Sequence, residues 1–356
     1  MKPIYITHTS AITPQSQEQG HLRQPLVPDT DCRFTVAEPD YTTVIPPMQL
    51  RRMSRILKMG VYTGMDCIRK AGIERPDGMI TGTGKGSMTD TEKFVKELSA
   101  YKEEALNPTP FILSTYNAIN GAVALQTKAT GYNQTYVHRG SSFEVSLYDA
   151  QLKLNTITEK QHYLVGCFDE MTAEYFFVKS KIGYWKKDRD PAQVLWAQHK
   201  STGTLAGEGA AFFMLDNKGD HALAAIHAIH TSYKSGIGDM NLILEQCLQK
   251  AGWSLPEIDM LVLGLNGDSN DEGYYQDFRK LFGPDVPVLA FKHLCGEYET
   301  SGGFALWLTC ELLSGTSLPG EVWYQKPATH GFQPQKIVYY NHYRGLNHNL
   351  MLLSAR

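Results

Sequence analysis

The stretch Thr135-Tyr136-Val137-His138-Arg139-Gly140-Ser141-Ser142-Phe143-Glu144 passes from a strand into a helix within a few residues. Residues 135–138 read as a strand and 143–154 as a helix that starts near Ser142. The tip between them falls at Gly140 or Ser141. A short apolar run, Tyr163-Leu164-Val165-Gly166, then reads as another buried strand. Strand, tight tip, helix and strand are the parts of a layered α/β fold.

The same alternation extends outward in both directions. Toward the N-terminus, Pro3-Ile4-Tyr5-Ile6 starts a strand. Residues 48–72 read as a helix with Met53, Ile56, Leu57, Val61, Met65 and Ile68 on one face and Gly72 at the C-cap. A strand at Gly78-Met79-Ile80 runs into Thr81-Gly82-Thr83-Gly84-Lys85-Gly86, followed by a helix over 93–101 and a loop, Asn107-Pro108-Thr109-Pro110. Toward the C-terminus, a charged and aromatic loop over 185–200 precedes 209–215 and 223–230, which read as paired strands. Strands are expected over 260–264, 286–291, 337–340 and 350–353, and helices over 271–282 and 302–313. Two halves of similar βαβ rhythm, 1–215 and 216–356, suggest an internally duplicated α-β-α-β-α architecture packed as one compact unit.

A net charge of −3 offers no general electrostatic reason to bind nucleic acid. Cys32, Cys67, Cys167, Cys247, Cys295 and Cys310 are scattered singly, without a CxxC pair or a Cys/His cluster. Neither a disulfide framework nor a metal site is expected, and the thiols should pack as small apolar groups. The opening MKPIYITHTSAITPQ has no apolar core of a signal peptide, and no apolar run approaches spanning length. A cytoplasmic location without a membrane span is the expectation.

Several segments, in order, resemble the β-ketoacyl synthase branch of the thiolase-like superfamily. Arg51-Arg52-Met53-Ser54-Arg55 with Lys58-Met59 is similar to the opening of an early helix in those enzymes. Gly82-Thr83-Gly84 resembles their Gly-Thr-Gly turn, and 107–121 their Asn-Pro segment and the helix after it. Tyr163-Leu164-Val165-Gly166-Cys167-Phe168-Asp169-Glu170 resembles the strand that ends in Ala-Gly-Gly-Xaa-Glu. Gly207-Glu208-Gly209-Ala210-Ala211 is similar to their Gly-Glu-Gly-Ala signature.

The resemblance places the family's nucleophilic cysteine at the helix tip, where this chain has Gly140 or Ser141 and no thiol. Ser141 as a replacement nucleophile would need a neighbouring base; alternatively Ser141 or Ser142 caps the helix. Asn266 falls at the family's first histidine, in Asn266-Gly267-Asp268-Ser269-Asn270-Asp271. It can donate to an oxyanion, or the segment is a polar turn in which Asp271 caps the next helix. In Phe291-Lys292-His293-Leu294-Cys295-Gly296-Glu297 the lysine is kept and Glu297 replaces the second histidine. A carboxylate there opposes enolate formation unless it is protonated or paired with Lys292. His293 and Cys295 are not expected to meet. The gating loop of the family corresponds to 341–349, where its aromatic gate becomes Gly345.

The resemblance therefore implies a ketosynthase-like subunit similar to a chain-length factor. It would pair with an active β-ketoacyl synthase and shape an acyl tunnel in fatty-acid, polyketide or polyene biosynthesis. Phe111, Tyr116 and Phe143 would be either tunnel walls or core residues. Two alternatives stay open: an acyl-thioester transferase or condensing enzyme rewritten around Ser141, Asn266 and Glu297, or a homodimeric acyl-binding scaffold. No bound cofactor is expected, and the phosphopantetheine of an acyl carrier protein is the expected substrate carrier.

Overall fold

The computed structural model describes residues 1–15, 17–18, 21–22, 33–186, 201–329 and 331–356. Cys32 and residues 187–200 of the expected charged loop lie outside them. Eleven strands form one sheet. In chain order they are β1 (Ile4–Ile12), β2 (Gly78–Gly82), β3 (Tyr132–Tyr136), β4 (His162–Asp169), β5 (Gly209–Asp216), β6 (Ala224–Tyr233), β7 (Met260–Leu263), β8 (Val288–Ala290), β9 (Trp323–Gln325), β10 (Lys336–Tyr343) and β11 (Asn347–Ser354). Their spatial order is β9-β8-β7-β10-β11-β6-β1-β5-β4-β2-β3. The principal helices are α1 (Arg55–Ala71), α2 (Met88–Tyr101), α3 (Pro108–Leu113), α4 (Ala118–Thr127), α5 (Ser142–Asn155), α6 (Ala173–Lys181), α7 (Ile237–Ala251), α8 (Glu272–Arg279) and α9 (Gly302–Leu313).

Side-chain alternation along the strands creates three separate cores. In β4, Val165 and Cys167 join one core while Leu164 and Phe168 join another. In β10, Ile337 and Tyr339 face the first core and Val338 and Tyr340 face a third. The central core holds α5 and α9, enclosed between the two halves of the sheet. The helix α9 is buried along almost its whole length, which fits a composition that is apolar apart from Thr309 and Glu311. The outer cores are covered by α1 and α4 on one side and by α7 and α8 on the other. The layer order is therefore α-β-α-β-α.

Four local expectations change. The strands over 209–215 and 223–230 exist, but they do not pair with each other. β1 lies between them, antiparallel to both, with Ile6 opposite Leu215 on one side and Ala224 on the other. The early helix starts at Arg55, because Ser54 is extended (φ −64°, ψ 167°) and separates it from a short turn, Pro47–Leu50. Its end is as expected, with Gly72 left-handed at φ 66°. Asn107 caps a short helix, α3, rather than opening a loop, its Oδ1 accepting from Thr109 N at 3.0 Å. Residues 341–349 form a β-hairpin, with Asn341 directly opposite Asn349 and only 344–346 in the turn.

Candidate functional site

The tip between β3 and α5 is a single 3-10 turn, Arg139–Ser141, entered through a left-handed Arg139 at φ 50°. Ser142 pins it: its Oγ accepts from His138 N at 2.8 Å and donates to Arg139 O at 2.7 Å. Ser141 Oγ is buried and has no hydrogen-bond partner among the described residues. It therefore neither caps α5 through its side chain nor meets a base that could activate it. Gly140 occupies the apex, and its carbonyl accepts from Asn349 Nδ2 at 2.7 Å. A Cβ built on Gly140 would overlap Tyr343 Cβ. In this packing the apex accepts no side chain.

Asn266, Lys292 and Glu297 come together in one buried network. Glu297 Oε2 accepts from Lys292 Nζ at 2.8 Å and from Asn266 Nδ2 at 3.0 Å. Asn266 Nδ2 also donates to Asp271 Oδ2 at 3.0 Å, so Asp271 spends its carboxylate there and does not cap α8. Lys292 Nζ reaches His342 O at 3.1 Å. Burial raises the carboxyl pKa values of Glu297 and Asp271, against the opposing pull of Lys292. Burial also pushes the His342 imidazole well below its usual range, and Lys292 adds to that. Gly345 N donates to His342 Nδ1 at 3.0 Å, which leaves the ring proton on Nε2, facing Asp271 O at 3.3 Å.

Residues 292–295 are a helical turn, not an extended segment. His293 Nε2 lies 2.7 Å from Glu321 O, and the Cys295 thiol, pushed far up by burial, lies against Gly296 O at 3.4 Å. The two make no pair. Such a network can hold charge and fix the turn geometry. It presents no thiolate, and its amide is already engaged by two carboxylates.

Three features escaped the sequence. Lys85 and Glu299 form an ion pair beside the tip, and Tyr343 Oη donates to Glu299 Oε1 at 2.9 Å. Of this pair only Lys85 carried a signal, as a lone cation in a glycine-rich turn. Glu144, in the first turn of α5, is fully buried against Tyr339, whose Oη donates to its Oε1 at 2.9 Å; burial raises its pKa to about 7. Its buried neighbours in α5 include Ser146, Asp149 and Gln151 as well as Phe143 and Leu147, so the sequence gives little sign of it. The Glu208 of the Gly-Glu-Gly-Ala segment is buried and clamped by Arg55, at 2.6 and 2.7 Å, and by the amides of Val36 and Met171 at 3.0 Å. Its role is architectural. Of the aromatic wall candidates, Phe143 is core, whereas Phe111 and Tyr116 are exposed.

Residues 29–185 match the family of the beta-ketoacyl synthase N-terminal domain. A comparison with curated proteins returns no match. Among solved structures the chain is similar to a beta-ketoacyl synthase from Burkholderia phymatum STM815 at 16% identity, covering 100% of both chains with a TM-score of 0.77. It is equally similar to the ishigamide ketosynthase/chain length factor, at 16% identity over 100% of this chain and 99% of that one, with a TM-score of 0.77. The ketosynthase ApeO in complex with its chain length factor ApeC, from Xenorhabdus doucetiae, matches at 15% identity over 100% and 98%, with a TM-score of 0.74. The layers, the helix tip and these likenesses agree on the fold: the chain has the thiolase-like α-β-α-β-α fold of these ketosynthases, and residues 29–185 match the model of their N-terminal domain.

Proposed function

We propose that this chain is a non-condensing ketosynthase-like subunit that pairs with an active β-ketoacyl synthase and helps shape the shared acyl cavity. The observation that carries the reading is the apex itself. Claisen condensation on a thioester needs a nucleophile to hold the acyl group and donors for the enolate and oxyanion. Here the apex is a glycine sealed by Tyr343, and the positions of the two imidazoles hold Asn266 and Glu297, tied to Lys292 and Asp271.

Support for pairing comes from the free edge of the sheet. Among the described residues β3 pairs only with β2 and ends the strand order, with Asn133 and Gln134 exposed. An unpaired edge of this kind is a template for another strand. Exposed apolar side chains lie just past β3 at Val137, on α4 at Leu125 (84%), and on α3 at Ile112 (59%) and Phe111 (56%). An apolar groove of about 580 Å³ runs between α4, α3 and the start of α1, lined by Met53, Leu57, Leu113 and Ala122. The partner would be a second ketosynthase-fold chain, and the acyl group would arrive on the phosphopantetheine of a carrier protein.

The test is mass spectrometry after incubation with acyl-carrier substrates, with this chain alone and mixed with a candidate intact synthase. A stable complex in which only the other chain is acylated supports the proposal. Acylation of this chain at Ser141, or loss of turnover on Ser141→Ala in a folded complex, would refute it.

A further inference from the structure

One cluster beside the apex takes no part in the network just described. Lys85 leaves the glycine-rich turn after β2 with its side chain 22% exposed, so it is reachable from solvent. Its ammonium pairs with Glu299, and its Nζ lies 4.4 Å from the centre of the Tyr175 ring. Glu299 Oε1 accepts from Tyr343 Oη at 2.9 Å and from Tyr175 Oη at 3.4 Å. Tyr343 is the residue that covers Gly140, so the amine stands beside the reaction centre, separated from it by one tyrosine and one carboxylate.

The groups facing Lys85 are Glu299 and Tyr175 by contact and Tyr343 by way of Glu299, with Asp169 and Lys179 acting through space. Burial draws its pKa down to about 8; Lys179 works in the same direction and Asp169 against it. A lysine partly withdrawn from water, a carboxylate able to carry its proton and two phenols are the parts needed to condense an amine with a carbonyl.

We propose that Lys85 binds a ketone carbonyl covalently as a reversible Schiff base, with Glu299 carrying the proton. Lys85 first passes one proton to the Glu299 carboxylate. The freed amine adds to the carbonyl carbon, forming the C–N bond while the second amine proton moves to the oxygen. Glu299 then returns its proton to that hydroxyl, the C–O bond breaks, and water leaves. The product is an iminium on Lys85 with Glu299 again a carboxylate, so the only by-product is one water. A β-ketoacyl chain is the ligand class. That choice rests on the ketosynthase-like reading, whereas the reactivity of the amine does not.

The experiment exposes the full chain to an acetoacetyl thioester of N-acetylcysteamine with cyanoborohydride, which fixes an iminium as a secondary amine. Peptide mapping then locates the mass gain. The expected result is reductive trapping at Lys85 about tenfold above that at its neighbour Lys179. Lys85→Arg, which keeps the positive charge beside Glu299, should abolish the adduct on that peptide. Glu299→Gln should slow trapping at Lys85 about tenfold. Trapping at Lys85 no greater than at Lys179, an acetoacetyl amide there instead of a reduced imine, or full-speed trapping in Glu299→Gln would each overturn the proposal. The mapping on the unaltered chain decides the main point without any variant having to fold. Failure to pair with a synthase would leave the adduct intact, and absence of the adduct would leave the pairing intact.

Discussion

Lys292 and Glu297 show how two charges can be kept inside a core. Their side chains are almost wholly withdrawn from solvent, and each finds further partners in Asn266 and the carbonyl of His342. Removing one member leaves the other uncompensated, which costs more than the pair contributes. Lys292→Met is therefore expected to lower the unfolding free energy by about 3–5 kcal/mol. Adding Glu297→Gln should recover much of that loss, and denaturant titration of the double-mutant cycle reads the coupling directly. Glu144 offers a separate test through pH. Its folded pKa of about 7 lies above the usual carboxyl value of 4.5, so its stabilising effect is complete below that lower value. The effect is lost as pH rises toward 7, and Glu170, also raised to about 7 by burial, behaves in the same direction. Glu144→Gln should thus be close to neutral at pH 4.5 and more stable than the parent by about 3 kcal/mol at pH 8. Equal melting shifts at both pH values would refute this. Asn266, Lys292 and Glu297 were singled out by the resemblance, because each falls in a segment similar to one of the family's, and their meeting in one network came only with the structure. The Lys85–Glu299 pair could not, since its members are far apart in the chain and meet only through tertiary packing.

Among the elements, β3 carries the most consequence, because no described strand pairs with its outer edge. The side chains near it divide between those that support the fold and those that do not. Thr135 bonds Thr81 across the strand pair at 3.2 Å and accepts from Asn120 at 3.3 Å. Leu125 projects from α4 and is 84% exposed. Leu125→Asp is expected to change stability by no more than about 0.5 kcal/mol. It should nevertheless abolish co-elution with a synthase partner on size-exclusion chromatography, because a buried unpaired carboxylate opposes a dry interface. Co-elution unaffected by this change would place the partner elsewhere. Strands and helices with strong alternation or spacing were legible: 163–166, 260–263 and 302–313 all lie in elements of the expected type, with Gly264 just outside its strand. The gating segment was not, because hairpin pairing of 341–343 with 347–349 depends on backbone register and not on composition. The same holds for β5 and β6, whose similar apolar runs resemble neighbours until the N-terminal strand is placed between them.

At the scale of the molecule, β1 joins the two halves of the sheet. It pairs with β5 along most of its length and with β6 through Ile4, Tyr5 and Ile6. Deleting residues 1–12 would open the sheet at its middle and expose the central core that both halves share. The expectation is loss of cooperative unfolding for the whole chain, read by near-ultraviolet circular dichroism and limited proteolysis. Survival of either half as a protected fragment would show that the halves hold together without β1. The position of β1 also bears on synthesis. β1 finds its partners only when residues 209–233 have been made, about 200 residues after it. At roughly 5–20 residues per second, its apolar side chains wait on the order of ten to forty seconds. The nascent chain should therefore depend on holding factors at the exit tunnel, and slower elongation should lengthen the period in which it can aggregate.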